Sequence, residues 1–431
     1  MIRQALRANP WAFLGPAATQ ALAAALVTTG LCLVASFDGA RLGDSDVADI
    51  GLIFTISSVY LAVLIVGVTM GTAIAGQARD IALTRTVGAT PGRVRRAIAA
   101  QAVLVALPAT AFGIPLGLLA GQAWLHGLAG SGVVPAGVAF RVHGGTVPIA
   151  YAVTVGTSLL GAMAAAIRPS RLRPAVALTE AAVPRRGTGR VRTPLGLLLV
   201  AGGVALAVVI SDLDAATADQ AGLFVMLAMC VGTGLLGPVL LRAAALVARR
   251  LGPIGTLAAD SVTAHARSLS GALVPLTLAV AFAAFTIVRG TTVAHVTGVA
   301  TPSADRWLEY SGTGAYTAFA AIAAVNTLLT VMHARRRDLA VMRLAGGTRG
   351  RTLAVVVCEA LIVTSTALAA GAVVAATTLL PLLHTALGTW RPWLPVSWLV
   401  AGVTAAAALV FAGMVAPAAA GLRRPPIEVA G

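Results

Sequence analysis

Two stretches of the chain combine charged, glycine and hydroxyl residues at matching spacing. Residues 79–93 read RDIALTRTVGATPGR and residues 337–351 read RDLAVMRLAGGTRGR; at a constant offset of 258, eight of the fifteen positions are identical. Each stretch follows one apolar run and precedes another. In the first, Arg79, Asp80 and Arg85 would ride on a helical extension of the preceding run. Gly88 suits a helix end that needs positive φ. Thr90 is a good N-cap and Pro91 a good first helical residue. The second copy carries Arg337, Asp338, Arg343, Gly346 and Thr348 at the same positions. The pattern predicts helix, sharp turn, helix, with guanidinium groups displayed beside a membrane. A solvated basic loop would need neither the repeated Asp nor the repeated Gly-x-Thr.

The rest of the inventory excludes chemistry more than it supplies any. All 31 basic residues are Arg, with no Lys. A Walker A phosphate loop needs its Lys, and so do Schiff-base mechanisms. GGTRGR at 346–351 follows no strand and is not read as a phosphate loop. Cys32, Cys230 and Cys358 lie in apolar runs without CxxC spacing, as small buried hydrophobes do. The six His are scattered without HExxH, and the pairs Asp44/Asp46 and Asp212/Asp214 are too sparse for a calcium loop. No metal or cofactor is expected in this chain. Glu359 is the one acid inside an apolar run. It is expected to reach back toward cytoplasmic Arg, with Arg351 about 12 Å away along a helix, the other reading being a gating role. Its counterpart in the first copy is Gln101. Gly113, Gly117 and Gly121 form a GxxxGxxxG ridge suited to close helix packing in lipid. The segment GTWRPWLPVSW at 388–398 reads as an interfacial anchor.

These residues need spanning helices to position them. The chain has 431 residues, 58% of them hydrophobic and 11% charged, and a mean hydropathy of +0.90. Soluble domains carry about 25% charge. Ten apolar runs fall at 13–36, 51–75, 98–121, 147–167, 194–210, 221–241, 271–288, 315–332, 353–380 and 397–416, each near the spanning length or above it. The first exceeds a usual signal-peptide core and is read as a retained span. The connecting segments alternate. Segments 1–12, 76–97, 168–193, 242–270, 333–352 and 417–431 hold 26 Arg and five acids, whereas the intervening ones hold five Arg and nine acids. The asymmetry places both termini in the cytoplasm. The net charge of +16 is therefore topological, and no nucleic-acid partner is expected.

The repeat extends beyond these two segments. Pro- and Arg-containing exits, RPSRLRPAVAL and APAAAGLRRPPIEV, follow the fourth and tenth runs. The expected architecture is an all-α integral membrane protein with two parallel four-helix repeats, residues 1–180 and 255–431. Two spans within residues 181–254 join them. Four spans plus two is even, so the repeats share one orientation, related by an axis along the membrane normal.

The pattern Arg-Asp/Glu-x-Ala-x-x-Arg-x-x-Gly-Ala/Gly-Thr/Ser between two spans resembles the FtsX-like (MacB-type) permeases of ABC transporters. The resemblance covers both four-span blocks, most of the chain. It implies a permease subunit without catalytic residues, in a bacterial plasma membrane. It also implies a separate ATPase, binding ATP and Mg, at the segment between the second and third spans of each block. Arg79, Asp80, Arg85, Gly88 and Thr90 would serve one contact, and Arg337, Asp338, Arg343, Gly346 and Thr348 the other. Two such segments in one chain predict one permease per pair of ATPases. Ten spans look like the layout of the peptide-antibiotic resistance branch, so a hydrophobic or amphipathic substrate is expected. Those relatives usually carry a large external domain; here segments 37–50 and 289–314 are too short to fold one. Two rivals are a signalling protein with the same coupling but no net transport, and an ion-driven carrier, which would want more ionisable residues at mid-membrane.

Overall fold

The computed structural model describes residues 11–40, 46–135, 137–171, 191–211, 215–299 and 302–423. Among them every regular element is helical. The long helices are α1 (Trp11–Gly39), α2 (Asp46–Gly76), α4 (Pro91–Gly130), α5 (Thr146–Arg171), α6 (Arg192–Ile210), α7 (Ala215–Ala248), α8 (Gly252–Thr297), α9 (Ser303–Ala334), α11 (Arg349–Leu387) and α12 (Val396–Gly421). Two short helices, α3 (Ala78–Thr86) and α10 (Arg336–Leu344), sit between α2 and α4 and between α9 and α11.

Nine helical stretches among the described residues are long and apolar enough to cross a membrane. One of them, Gly222–Thr297, has 76 residues. A straight helix of that length would measure about 114 Å at 1.5 Å per residue, far beyond the hydrocarbon core. It is broken by a 3-10 turn at Arg249–Leu251 and by Gly252 at φ +82°. That break separates α7 from α8, and the two halves correspond to the sixth and seventh apolar runs. The protein is an all-α, multi-pass membrane protein. Segments 242–270 and 289–314, expected as loops, are helical apart from a few residues. The apolar runs cover only part of each of these helices, and α7, α8 and α9 continue past them.

The chain divides into two compact units: residues 1–183 with 302–319, and residues 184–301 with 320–431. In the first unit α1 packs against α2, α4 and α5, and α5 also packs against α2 and α4. Without a hydrophobic force between helices in lipid, close approach and hydrogen bonds must hold them. Gly113 and Gly117 supply the approach. A Cβ on Gly113 would lie 2.2 Å from the Ala21 carbonyl oxygen, and one on Gly117 2.5 Å from that of Ala25. Gly121 instead faces the Phe140 ring, 3.2 Å from its Cβ position. Thr29 donates to the Gly117 carbonyl at 3.0 Å, and Gln20 to the Thr154 carbonyl at 2.6 Å. Gly113→Leu should therefore destabilise the protein, by at least the ~1–3 kcal/mol typical of overpacking. Gly156→Leu, where a Cβ meets nothing within 4 Å, should not. Thermal unfolding of the two variants in detergent tests this; equal midpoints would refute the tight contact.

In the second unit α8 packs against α7, α11 and α12, α11 against α6, α7 and α12, and α6 against α7. Gly371 of α11 lies against Val280 of α8, at the position equivalent to Gly113 in the repeat. The two joining helices carry a separate device. Pro238 inside α7 has no N–H to give the Gly234 carbonyl four residues earlier. Arg192, in the first turn of α6, donates to that carbonyl at 2.9 Å, to the Leu235 carbonyl at 3.1 Å and to Ser270 Oγ of α8 at 3.0 Å. One guanidinium thus satisfies backbone freed by the proline and ties three helices together.

Candidate functional site

The two repeated segments fold alike, bond for bond. Gly88 and Gly346 take φ +97° and +96°. The Gly88 N–H donates to the Arg85 carbonyl and the Ala89 N–H to the Thr84 carbonyl, at 3.1 and 3.2 Å. The Gly346 N–H bonds to Arg343 and the Gly347 N–H to Met342, again at 3.1 and 3.2 Å. This pairing is the Schellman motif, which needs a residue at positive φ and so favours glycine. Thr90 then caps α4, accepting from the Arg93 N–H at 3.4 Å, and Thr348 caps α11, accepting from Arg351 at 3.2 Å. Both caps are extended, with ψ 152° and 157°.

Each short helix buries one face and shows the other. Ile81 and Ala82 of α3 are buried, as are Leu339 and Ala340 of α10 at the equivalent positions. Leu83 and Val341, also equivalent, are 47% and 54% exposed. Val87 at the turn is 89% exposed. Arg93 and Arg351, one turn into the following helices, are both exposed. Each segment therefore carries an exposed apolar residue, and the helix that follows it an exposed Arg.

The predicted charged residues do not all face outward. The side chains of Arg79 and Asp80 lie outside the described residues, although their backbone belongs to α3. Arg85 is half-buried. Arg337 is exposed. Asp338 turns away from its neighbour Arg337 to His265 of α8, with Nε2 3.2 Å from Oδ2; His265 Nδ1 lies 3.0 Å from the Ser261 carbonyl. The His265 contact holds the Asp338 carboxyl below the usual carboxylate range. The carboxyl's side of the contact is lost as pH falls through the depressed value. Arg343, half-buried, donates to the Leu422 carbonyl at the end of α12, at 3.1 Å.

Glu359 finds a different partner from the one its sequence position suggests. It is fully buried, and Arg335 rather than Arg351 meets it. The two form a bidentate pair, Nη1 to Oε2 at 2.8 Å and Nη2 to Oε1 at 3.0 Å, with Nη2 also donating to Ser261 Oγ at 2.6 Å. Arg335 is the hinge residue between α9 and α10 and is 4% exposed. Sequence reasoning missed Arg335, Ser261 and His265. No spacing rule singles Arg335 out, since Arg336 stands in the same register to buried Ala340 as Arg335 does to buried Leu339. The glycines of α4 serve packing against α1 and Phe140. Cys32 and Cys230 are buried and Cys358 is partly exposed; no group of three potential metal ligands occurs among the described residues.

The profile of the FtsX-like permease C-terminal domain matches the chain twice, over residues 52–174 and 314–426, together more than half of it. No curated protein matches the chain significantly. Each matched segment contains one helix–turn–helix element with its glycine turn and threonine cap. Members of this family are typically non-enzymatic membrane subunits of ABC transporters and generally partner an ABC ATPase. The chain belongs to the FtsX-like permease family, in a tandem form that carries the module twice.

Proposed function

We propose that this chain alone serves a pair of ATPase subunits, each docked on one of its two helix–turn–helix segments. One observation carries the reading: α3 with its turn and α10 with its turn share backbone geometry, and residues 81–83 and 339–341 share the same two buried positions and one exposed position. Packing within each module explains the buried face but asks nothing of the exposed one. The apolar residues Leu83 and Val341, each with an exposed Arg on the following helix, suit a protein partner's groove with an acidic rim. The Arg bias of the segments on that side supports a cytoplasmic position, where ATP is available. ATP and Mg bind the partner. The membrane is a bacterial plasma membrane in this reading.

The cargo is a hydrophobic or amphipathic compound, a peptide or antibiotic, exported or lifted from the bilayer. The short connections between α1 and α2 and between α8 and α9 support handling it within or at the membrane. Native mass spectrometry of the purified complex tests the arrangement. One permease with two ATPases is expected; a stable complex with two permease chains would refute it.

A further inference from the structure

The two hinges that carry the short helices share a backbone and differ in chemistry. Gln77 precedes α3 at φ −93°, ψ 8°, and Arg335 precedes α10 at φ −92°, ψ 3°. They are separated by 258 positions, the offset of the repeat. Gln101 and Glu359 are separated by the same offset, and both are buried. The second module therefore places an ion pair where the first has two amides. Gln77 Nε2 is buried without a hydrogen-bond partner among the described residues, whereas Arg335 is held by Glu359 of α11 and Ser261 of α8.

Such a pair is not required for folding, since the first module has two Gln at the same positions. Removing two charges from water offsets most of what their attraction contributes, so a buried pair adds little net stability over neutral replacements. What a bidentate guanidinium–carboxylate contact does supply is direction: two parallel hydrogen bonds fix the mutual orientation of the groups. Here the groups are the α9–α10 hinge and the first third of α11.

We propose that Arg335 and Glu359 are positioning residues that make the second hinge rigid, while Gln77 and Gln101 leave the first compliant. The two ATPase contacts of one chain are then mechanically unequal. On this account α10 follows α8 and α11 as one body, and α3 can tilt against its module during the cycle. The functional consequence rests on the docking proposed above; the stiffness itself does not.

Hydrogen–deuterium exchange on the full chain in lipid nanodiscs, without ATPase, separates the two. Amides of α10 should exchange about tenfold or more slower than those of α3, as local opening is opposed by the ties. The double variant Arg335→Gln/Glu359→Gln, which copies the first module, should accelerate α10 about tenfold and leave α3 unchanged. The reciprocal Gln77→Arg/Gln101→Glu variant should slow α3. Equal protection of α3 and α10 in the wild type, or an α10 rate unmoved in the double variant, would overturn the inference with docking intact. Loss of ATPase binding alone would count against docking and leave the exchange result standing.

Discussion

Replacing Glu359 by Ala should unfold a large fraction of the protein on mild heating. The substitution removes both acceptors of the Arg335 fork and leaves a guanidinium that is 4% exposed, with Ser261 as its remaining side-chain contact. Breaking a buried pair by deleting one partner costs about 3–5 kcal/mol, because the other charge stays desolvated. That is a large share of the ~5–15 kcal/mol that holds a typical domain together. The double neutral variant Arg335→Gln/Glu359→Gln carries no such orphan and should recover most of the loss. Thermal midpoints of wild type, single and double variants, followed by tryptophan fluorescence in detergent, give the answer. A single variant as stable as the wild type would mean that water reaches Arg335 and that the pair is not buried.

The parts of this fold legible in the sequence are those set by local physics. A run of about 20 apolar residues declares a span whatever surrounds it. A glycine followed two positions later by threonine declares a helix end and a helix start, and both turns form at Gly88–Thr90 and Gly346–Thr348. The partner of Glu359 was hidden because it lies 24 residues away, across the α10 turn. Arg335, Arg336 and Arg337 look alike in a string; only the hinge turns the first inward. Arg192 was hidden for the same reason, since its role depends on where Pro238 of a neighbouring helix leaves a carbonyl unpaired. Helix ends were misjudged where amphipathic residues continue a helix beyond the apolar run, as in α7, α8 and α9.

Disabling both exposed faces should abolish partner binding while sparing the permease. Arg85 and Arg343 are poor probes for this. Arg343 already holds the Leu422 carbonyl, so its loss would loosen α12 as well as any interface. Leu83 and Val341 are better, being equivalent, exposed and apolar. A glutamate at either site keeps the helix, since Glu is a good helix former, and replaces an apolar contact with a desolvated charge. In a docked interface each substitution should cost about 2 kcal/mol or more, roughly a thirtyfold loss of affinity at that contact. With two contacts on one chain, each single variant retains one anchor. The double variant loses both, together with the avidity that links them.

The direct measurement is co-purification of the ATPase with Leu83→Glu, Val341→Glu and the double variant, with ATP hydrolysis assayed on the same preparations. The predicted result is reduced binding and hydrolysis in each single variant and neither in the double one, at normal membrane expression. Wild-type binding and hydrolysis in the double variant would contradict docking on α3 and α10.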